Sequence, residues 1–371
     1  MLEAYREHKG ERAEQDIPPL ALNAEQTAEL IDLIKNPPAD VDGEELKYLL
    51  SQRVPPGVDK AAYVKAAFLA DVAKGNADSP LIDRHEAVEL LGTMMGGYNV
   101  DPLIEVLDDE VVGDDAVKAL SRLVMVYDAF RDVEDKHREG SQNAGRVLES
   151  WAEADWFKAR PKLEEEIEVI VLKVPGETNT DDLSPAQEAW SRPDIPLHAR
   201  SMLQSKMPEA LDTIKKLKES GHKIAYVGDV VGTGSSRKSA INSVQWHIGR
   251  DIPNVPNKRT GGVVLGGKIA PIFFNTAEDS GALPIECDVD SMETGDVLTI
   301  RPYAGEVLKN GEVITTFKMR PSTLPDEVRA GGRIPLIVGR GLTGKARETL
   351  KMPPSDEFLR AEQPEDTGKG F

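Results

Sequence analysis

One cysteine, Cys287, is all the sulfhydryl chemistry that this chain of 371 residues contains. No internal disulfide can form, which suits a reducing compartment. One thiolate is also too few for an iron–sulfur cluster, which takes several cysteine ligands. Cys287 closes the strand-like run Leu283-Pro284-Ile285-Glu286-Cys287 and reads as a buried, inert thiol, because free cysteine behaves as a small hydrophobe. The histidines (His8, His85, His137, His198, His222 and His247) are scattered without ligand spacing, so no metal site is expected within the chain. Positive charge is scarce as well: 45 Lys and Arg face 64 Asp and Glu, for a formal charge of −19 and a sequence pI near 4.9. Generic binding to a phosphate backbone needs clustered basic side chains and is not expected. An anionic ligand would have to be drawn in by a local cationic pocket. Apolar runs are short: none approaches the ~20 residues of a membrane-spanning helix, and Met1–Glu7 has no apolar signal region. A cytoplasmic protein with no membrane partner is the expectation.

Against these absences stands one glycine-rich run, Gly228-Asp229-Val230-Val231-Gly232-Thr233-Gly234-Ser235-Ser236-Arg237-Lys238-Ser239-Ala240. The apolar strand Ile224–Val227 feeds it, and a helix is expected after Arg237. Glycines let a backbone approach a ligand closely, and a helix N-terminus offers unpaired N–H groups. With Ser235, Ser236 and Arg237 added, the turn suits a carboxylate or phosphate, which a guanidinium grips through two parallel hydrogen bonds. Two nucleotide motifs fail on inspection. A dinucleotide fingerprint begun at Gly232 meets Arg237 where its third glycine belongs, and a P-loop read back from Lys238-Ser239 meets Arg237 again. A plainer alternative is a turn whose serine hydroxyls merely cap the helix.

The chain is long enough for two domains, and its pattern changes near residues 160–166. Residues 1–160 read as helical. Asn23 and Gln26 form a capping-box pair opening a helix through Leu30, Ile31 and Ile34, stopped by Pro37-Pro38. Asp59 caps another, with Val64, Phe68 and Val72 on one face and Gly75 at its end. Asp101–Asp109 followed by Asp114–Leu123 has the helix–turn–helix layout of a HEAT-like repeat; an irregular helical bundle is the alternative. After the charged linker Lys162–Glu166, the alternating run Ile167–Val174 opens an α/β region reaching about Arg347. Strands are expected at Ile224–Val227, Gly262–Leu265, Leu283–Cys287, Val297–Arg301, Val313–Phe317 and Ile334–Val338, with a helix at Leu211–Ser220. The glycine pairs Gly261-Gly262, Gly266-Gly267 and Gly331-Gly332 read as turns. Residues 348–371, polar and Pro/Gly-containing, read as a linker tail.

Several long motifs converge on one family. Gly232-Thr233-Gly234-Ser235-Ser236-Arg237 after a strand resembles the substrate loop in the swivel domain of aconitases. Gly176-Glu177-Thr178-Asn179-Thr180-Asp181-Asp182-Leu183-Ser184-Pro185, followed by Ala189-Trp190-Ser191-Arg192-Pro193-Asp194, resembles the other substrate-facing segment of that domain. Pro256–Arg259, Gly266–Asn275 and Gly281–Glu286 continue the likeness. Arg53–Val58 and Leu91–Asn99 are similar to one branch, bacterial aconitase B, a bifunctional aconitate hydratase and 2-methylisocitrate dehydratase that places a helical domain and the swivel before its catalytic core. Members of that branch are considerably longer, so the chain resembles their N-terminal portion without the iron–sulfur core.

The resemblance implies a fold of a HEAT-like helical domain, residues 1–160, an aconitase-type swivel β/α domain, residues 167–347, and a tail, residues 348–371, leading toward the core. It implies a hydro-lyase of the tricarboxylic acid cycle acting on citrate, isocitrate and cis-aconitate, or on 2-methylisocitrate, with a 4Fe–4S cluster in the complete protein and none on this chain. Ser235 matches the family's catalytic base, Ser236 and Arg237 its carboxylate-binding positions, Arg192 a second substrate arginine, and Asp181 a carboxylate that orients catalytic groups. Asp181 is also compatible with a simple Asx-turn, Arg192 with a surface ion pair, and Lys238 reads as supporting structure. The implied partners are a catalytic core in cis or in trans, a second copy bound through the helical domain, and, in the cluster-free state, particular messenger RNAs. A non-catalytic protein- or mRNA-interaction module is the rival reading. By itself the chain is expected to be inactive.

Overall fold

The structure is a computed structural model and describes residues 1–360; residues 361–371 of the expected tail lie outside the described residues. The chain divides into two compact units. The first takes residues 1–159, 251–258 and 337–355; the second takes 160–250, 259–336 and the segment from 356.

The helical unit opens with α1 (Leu2–Ala13), α2 (Ala24–Lys35), α3 (Gly43–Gln52), α4 (Lys60–Lys74) and α5 (Arg84–Gly92). It continues with α6 (Val100–Glu105), α7 (Gly113–Arg122), α8 (Phe130–Arg138), α9 (Gln142–Ala152) and α10 (Asp155–Lys158). Local chemistry sets the ends. Asn23 and Gln26 make both bonds of a capping box on α2, Asp59 accepts from the Ala61 amide at the start of α4, and Gly75 closes α4 in the left-handed region. The apolar faces meet in one continuous core that includes Leu30, Ile34, Leu50, Leu69, Leu91, Leu120, Leu148 and Trp151.

The second unit is built on β1 (Ile167–Asn179), α11 (Thr180–Leu183), α12 (Ile195–Ala199), α13 (Ala210–Glu219), β2 (Lys223–Thr233) and α14 (Lys238–Ile248). The chain then passes through β3 (Arg250–Ile252) and β4 (Val255–Thr260), a two-stranded sheet lying mostly in the 251–258 segment of the first unit, before β5 (Val263–Ile269), α15 (Pro271–Asp279) and β6 (Leu283–Glu286) of the second. The series ends with β7 (Val297–Arg301), β8 (Glu306–Lys309), β9 (Glu312–Thr316) and α16 (Leu324–Ala330), and with α17 (Arg333–Thr349), of which residues from 337 on belong to the first unit. Seven strands form a mixed sheet in the order β6-β5-β2-β1-β7-β8-β9. The β6-β5-β2-β1 half is parallel and the rest is antiparallel. The two-residue period of β1 explains its burial on both faces. Ile170, Leu172 and Val174 point into a layer with Ile214, Val244 and Phe273 of α13, α14 and α15. Val169 and Val171 point into the opposite layer with Leu265, Ile285 and Val307.

Three differences from expectation lie toward the C-terminus. Residues 334–338 are not a strand but the opening of α17. Pro335 falls among the first helical residues, whose amides lack partners anyway, and the β-branched run is overridden by packing. A Cβ on Gly339 would lie 2.2 Å from the Trp156 ring, and the Trp156 indole donates to Thr343 Oγ1 at 3.1 Å. Secondly, 251–258 and 337–347 belong with the helical unit, although the pattern reads as one domain from 167 to 347. Gln52 Nε2 donates to Asn254 Oδ1 at 2.7 Å, and buried Arg53 donates to Asn257 Oδ1 at 3.1 Å. Polar side chains on a hairpin leave no trace in hydrophobic periodicity. Thirdly, the described part of the 348–371 tail is anchored: helix persists to Thr349, and the Leu359 amide donates to Asp326 Oδ2 at 2.7 Å.

Candidate functional site

The ends of β1 and β2 lie side by side, with Asn179 and Thr233 in register. In open parallel sheets the carboxyl ends of strands are where ligands gather. At the end of β2 the chain turns through Gly232 and Gly234, with φ of 79° and 90°. Gly232 is required twice over, since a Cβ there would also lie 2.2 Å from Phe273.

Ser235 and Ser236 are exposed. Neither caps the following helix: the N-cap position of α14 is Arg237, with no side-chain capping bond. The plain capping alternative therefore does not account for these hydroxyls. Thr180 Oγ1 donates to the Ser235 carbonyl at 2.9 Å and ties the loop to the end of β1. Arg237 Nη1 donates to Asp181 Oδ1 at 2.5 Å and to the Ser184 carbonyl at 3.3 Å. That guanidinium holds the Asp181 carboxyl below the ordinary carboxylate range. An Asx-type turn does exist here, but Asn179 makes it by accepting from the amides of Asp181 and Asp182. Asp181 is left to accept from Arg237 and from the Ala186 amide at 3.2 Å.

Arg192 closes a short 3-10 stretch, Ala186–Ser191, that is kinked at Glu188. Its Nε is buried with no hydrogen-bond partner, and its charge contributes to the depression of Asp181. All five residues singled out by the sequence thus lie on segments gathered around the ends of β1 and β2. Sequence reasoning missed Asn179, Thr180, Ser184, Ser239 and His198, which hold these segments together. Thr180 and Ser184 sat inside a quoted motif, but nothing in their spacing announced a contact with a loop some fifty residues on.

The residues present do not fit a 4Fe–4S cluster. Cys287 is the only thiol, it is buried, and burial pushes it up to about 11, far from the thiolate such a cluster needs. Among the described residues no group of three or more His, Cys, Asp or Glu is disposed to hold a metal, and no helix is long and apolar enough to cross a membrane.

Two family models match. The one described as "Aconitate B N-terminal domain" covers residues 4–157, and the one described as "Aconitate hydratase 2 N-terminus" covers 169–371. Aconitate hydratase B of Synechocystis is 62% identical over 375 residues, taking in 100% of this chain and 43% of that protein. The Escherichia coli protein of the same name is 57% identical over 385 residues, with 100% and 44% covered. That of Helicobacter pylori is 50% identical over 372 residues, with 100% and 43% covered. The chain spans less than half the length of these curated relatives. A solved 3-isopropylmalate dehydratase from Methanocaldococcus jannaschii covers 49% of this chain and 99% of its own at 21% identity, with a TM-score of 0.36, too slight a likeness to carry an argument.

Proposed function

The chain belongs to the aconitate hydratase B family, and on that premise we propose that it supplies the substrate loop of a complete aconitate hydratase. The reaction is the reversible interconversion of citrate and isocitrate through cis-aconitate, with 2-methylisocitrate as a further substrate. One observation carries the reading: the segments bearing Asp181, Arg192, Ser235, Ser236 and Arg237 meet around the ends of neighbouring parallel strands, where Arg237 pairs with Asp181 and both serines are exposed.

Ser235 is the proposed base. A serine hydroxyl alone rarely ionises near neutrality, so its alkoxide needs positive charge in a preorganised site. Arg237 and Arg192 provide that charge and bind the substrate carboxylates, Arg237 through its planar fork and Ser236 by donating beside it. Asp181 holds one edge of the Arg237 guanidinium and so fixes the direction in which the other donors point. In this mechanism Ser235 Oγ takes the carbon-bound proton and returns it on the reverse path. The 4Fe–4S cluster of the complete protein is left to the portion of the family that this chain does not match, as a core in cis or in trans; the chain alone is predicted inactive.

We also propose that helices α1–α10 are a HEAT-like array, that the complete protein works in the cytoplasm, and that this array mediates homodimerisation. Exposed Tyr48 and the edge-to-face pair Tyr63–Tyr98 support an association surface there. The alternative, a non-catalytic module for protein or specific mRNA, draws no support from a charge of −19.

The test is the complete, cluster-loaded protein assayed by ultraviolet absorbance of cis-aconitate. Ser235→Ala should depress turnover while sparing substrate affinity, because it removes the base and leaves the carboxylate anchors. Near-normal turnover in the folded, loaded variant would overturn the catalytic assignment.

A further inference from the structure

A buried chain of side chains runs behind the loop. Ser239 Oγ, in the first turn of α14, lies 2.7 Å from Ser184 Oγ. Ser184 Oγ lies 2.8 Å from His198 Nε2, and His198 Nδ1 lies 2.8 Å from Ser191 Oγ. His198 is 2% exposed, and Ser184 and Ser191 are buried. Each link belongs to a different part of the site: Ser239 follows Arg237, Ser184 follows Asp181, and Ser191 precedes Arg192.

The protons in this chain have one consistent arrangement. The Ser191 hydroxyl donates to the Glu188 carbonyl at 2.8 Å, so it can only accept from the ring, and His198 carries its proton on Nδ1. The neutral ring then accepts at Nε2. Ser184 must donate there, and Ser239 must donate to Ser184. Burial and the nearby Arg192 charge both depress the ring's basicity, against the pull of the Glu188 carbonyl and side chain. Protonating Nε2 would set it against the Ser184 donor and reverse the whole line.

We propose that His198 is a positioning residue that, as the neutral Nδ1–H tautomer, locks the Asp181, Arg192 and Arg237 segments into one carboxylate-binding arrangement. This rests on the reading of those residues as substrate ligands. His198 itself touches no substrate.

Two measurements test it. Two-bond proton–nitrogen spectra of this chain, labelled at histidine, should show His198 as Nδ1–H and still neutral at pH values below about 6.5, where an unperturbed histidine gains its proton; an Nε2–H ring overturns the assignment. In the complete, cluster-loaded protein, His198→Ala should raise the KM for citrate roughly tenfold, about the scale of one or two lost hydrogen bonds, with a smaller fall in kcat. His198→Gln should recover part of this, because its carbonyl can accept from Ser184. Should His198→Ala not fold, Ser239→Ala decides, with an expected rise of about threefold. An unchanged KM in the folded variant overturns the proposal if Arg237→Lys still raises it. If Arg237→Lys has no effect either, the functional reading falls instead.

Discussion

The two units bury different kinds of chemistry. In the helical unit, buried charge is mostly isolated: Arg12 and Arg53 donate to the backbone carbonyls of Pro18 and Pro19, Lys65 is 3% exposed and burial lowers it to about 8, and carboxylates form pairs such as Arg84–Asp109 and Arg146–Asp114. The sheet unit puts titratable groups inside. His198 sits among serines, and Glu278 and Glu327, each 3% exposed, share a buried site with Arg333. An apolar helical interior needs only shape and capping, and it tolerates any volume-conserving sequence. A buried polar network is costly unless every member is satisfied, so its presence marks where geometry, rather than bulk stability, was selected.

That contrast can be broken by experiment. The largest effect belongs to Ser235→Ala in the complete, loaded protein, with turnover down about 10²–10⁴-fold, the usual cost of losing a general base, and an unchanged melting temperature for the sheet unit. Next is Trp151→Ala. The ring is fully buried and its indole donates to the Leu120 carbonyl at 3.0 Å, so the helical unit should lose about 3–5 kcal/mol by denaturant titration while KM for citrate stays put. A changed KM would mean that the two units are not divided as argued.

Separating the units tests the same point. A fragment 1–160 lacks the 251–258 and 337–355 segments, leaving the Trp156 indole and the Arg53 guanidinium without Thr343 and Asn257. It should unfold less cooperatively than the whole chain by calorimetry; an equally sharp transition would show that those segments contribute little.

A pH effect comes next. Burial, with Glu327 beside it, raises Glu278 to about 7, from an ordinary value of 4.5. The folded state therefore holds this proton more tightly, so the contribution is complete below about pH 4.5 and is lost as pH rises to about 7. Glu278→Gln should remove that loss, amounting to about 1–3 kcal/mol, so that the melting temperature of the variant gains on the parent between those values. An unchanged difference would mean the carboxyl is ionised throughout. The smallest effect is Asn23→Ala, which removes the bond that the Asn23 side chain accepts from the Gln26 amide at the start of α2 and leaves its backbone bond to the Gln26 side chain; it should cost about 1 kcal/mol with no change in the assay.

Local signals were legible in the sequence where chemistry acts over three or four residues. The Asn23 and Asp59 caps, the Gly75 terminus and the helix after Arg237 all stand where their spacing puts them. The strands β1, β2, β5, β6, β7 and β9 overlap the runs read as strands, whereas β3, β4 and β8 were not foreseen. The run 334–338 misled because β-branched residues favour a strand only when a sheet is there to receive them.

The sequence by itself determined the caps, the existence of a strand at β1 and the glycine turn at the end of β2, because each depends on neighbours along the chain. Only the tertiary structure decided that Asp181 turns to Arg237 while Asn179 makes the turn, that α17 packs on Trp156, and that His198 joins three serines. Those outcomes depend on which polar group finds which partner across tens of residues, and hydrogen bonds of similar strength to many partners leave that choice to the packing of the whole.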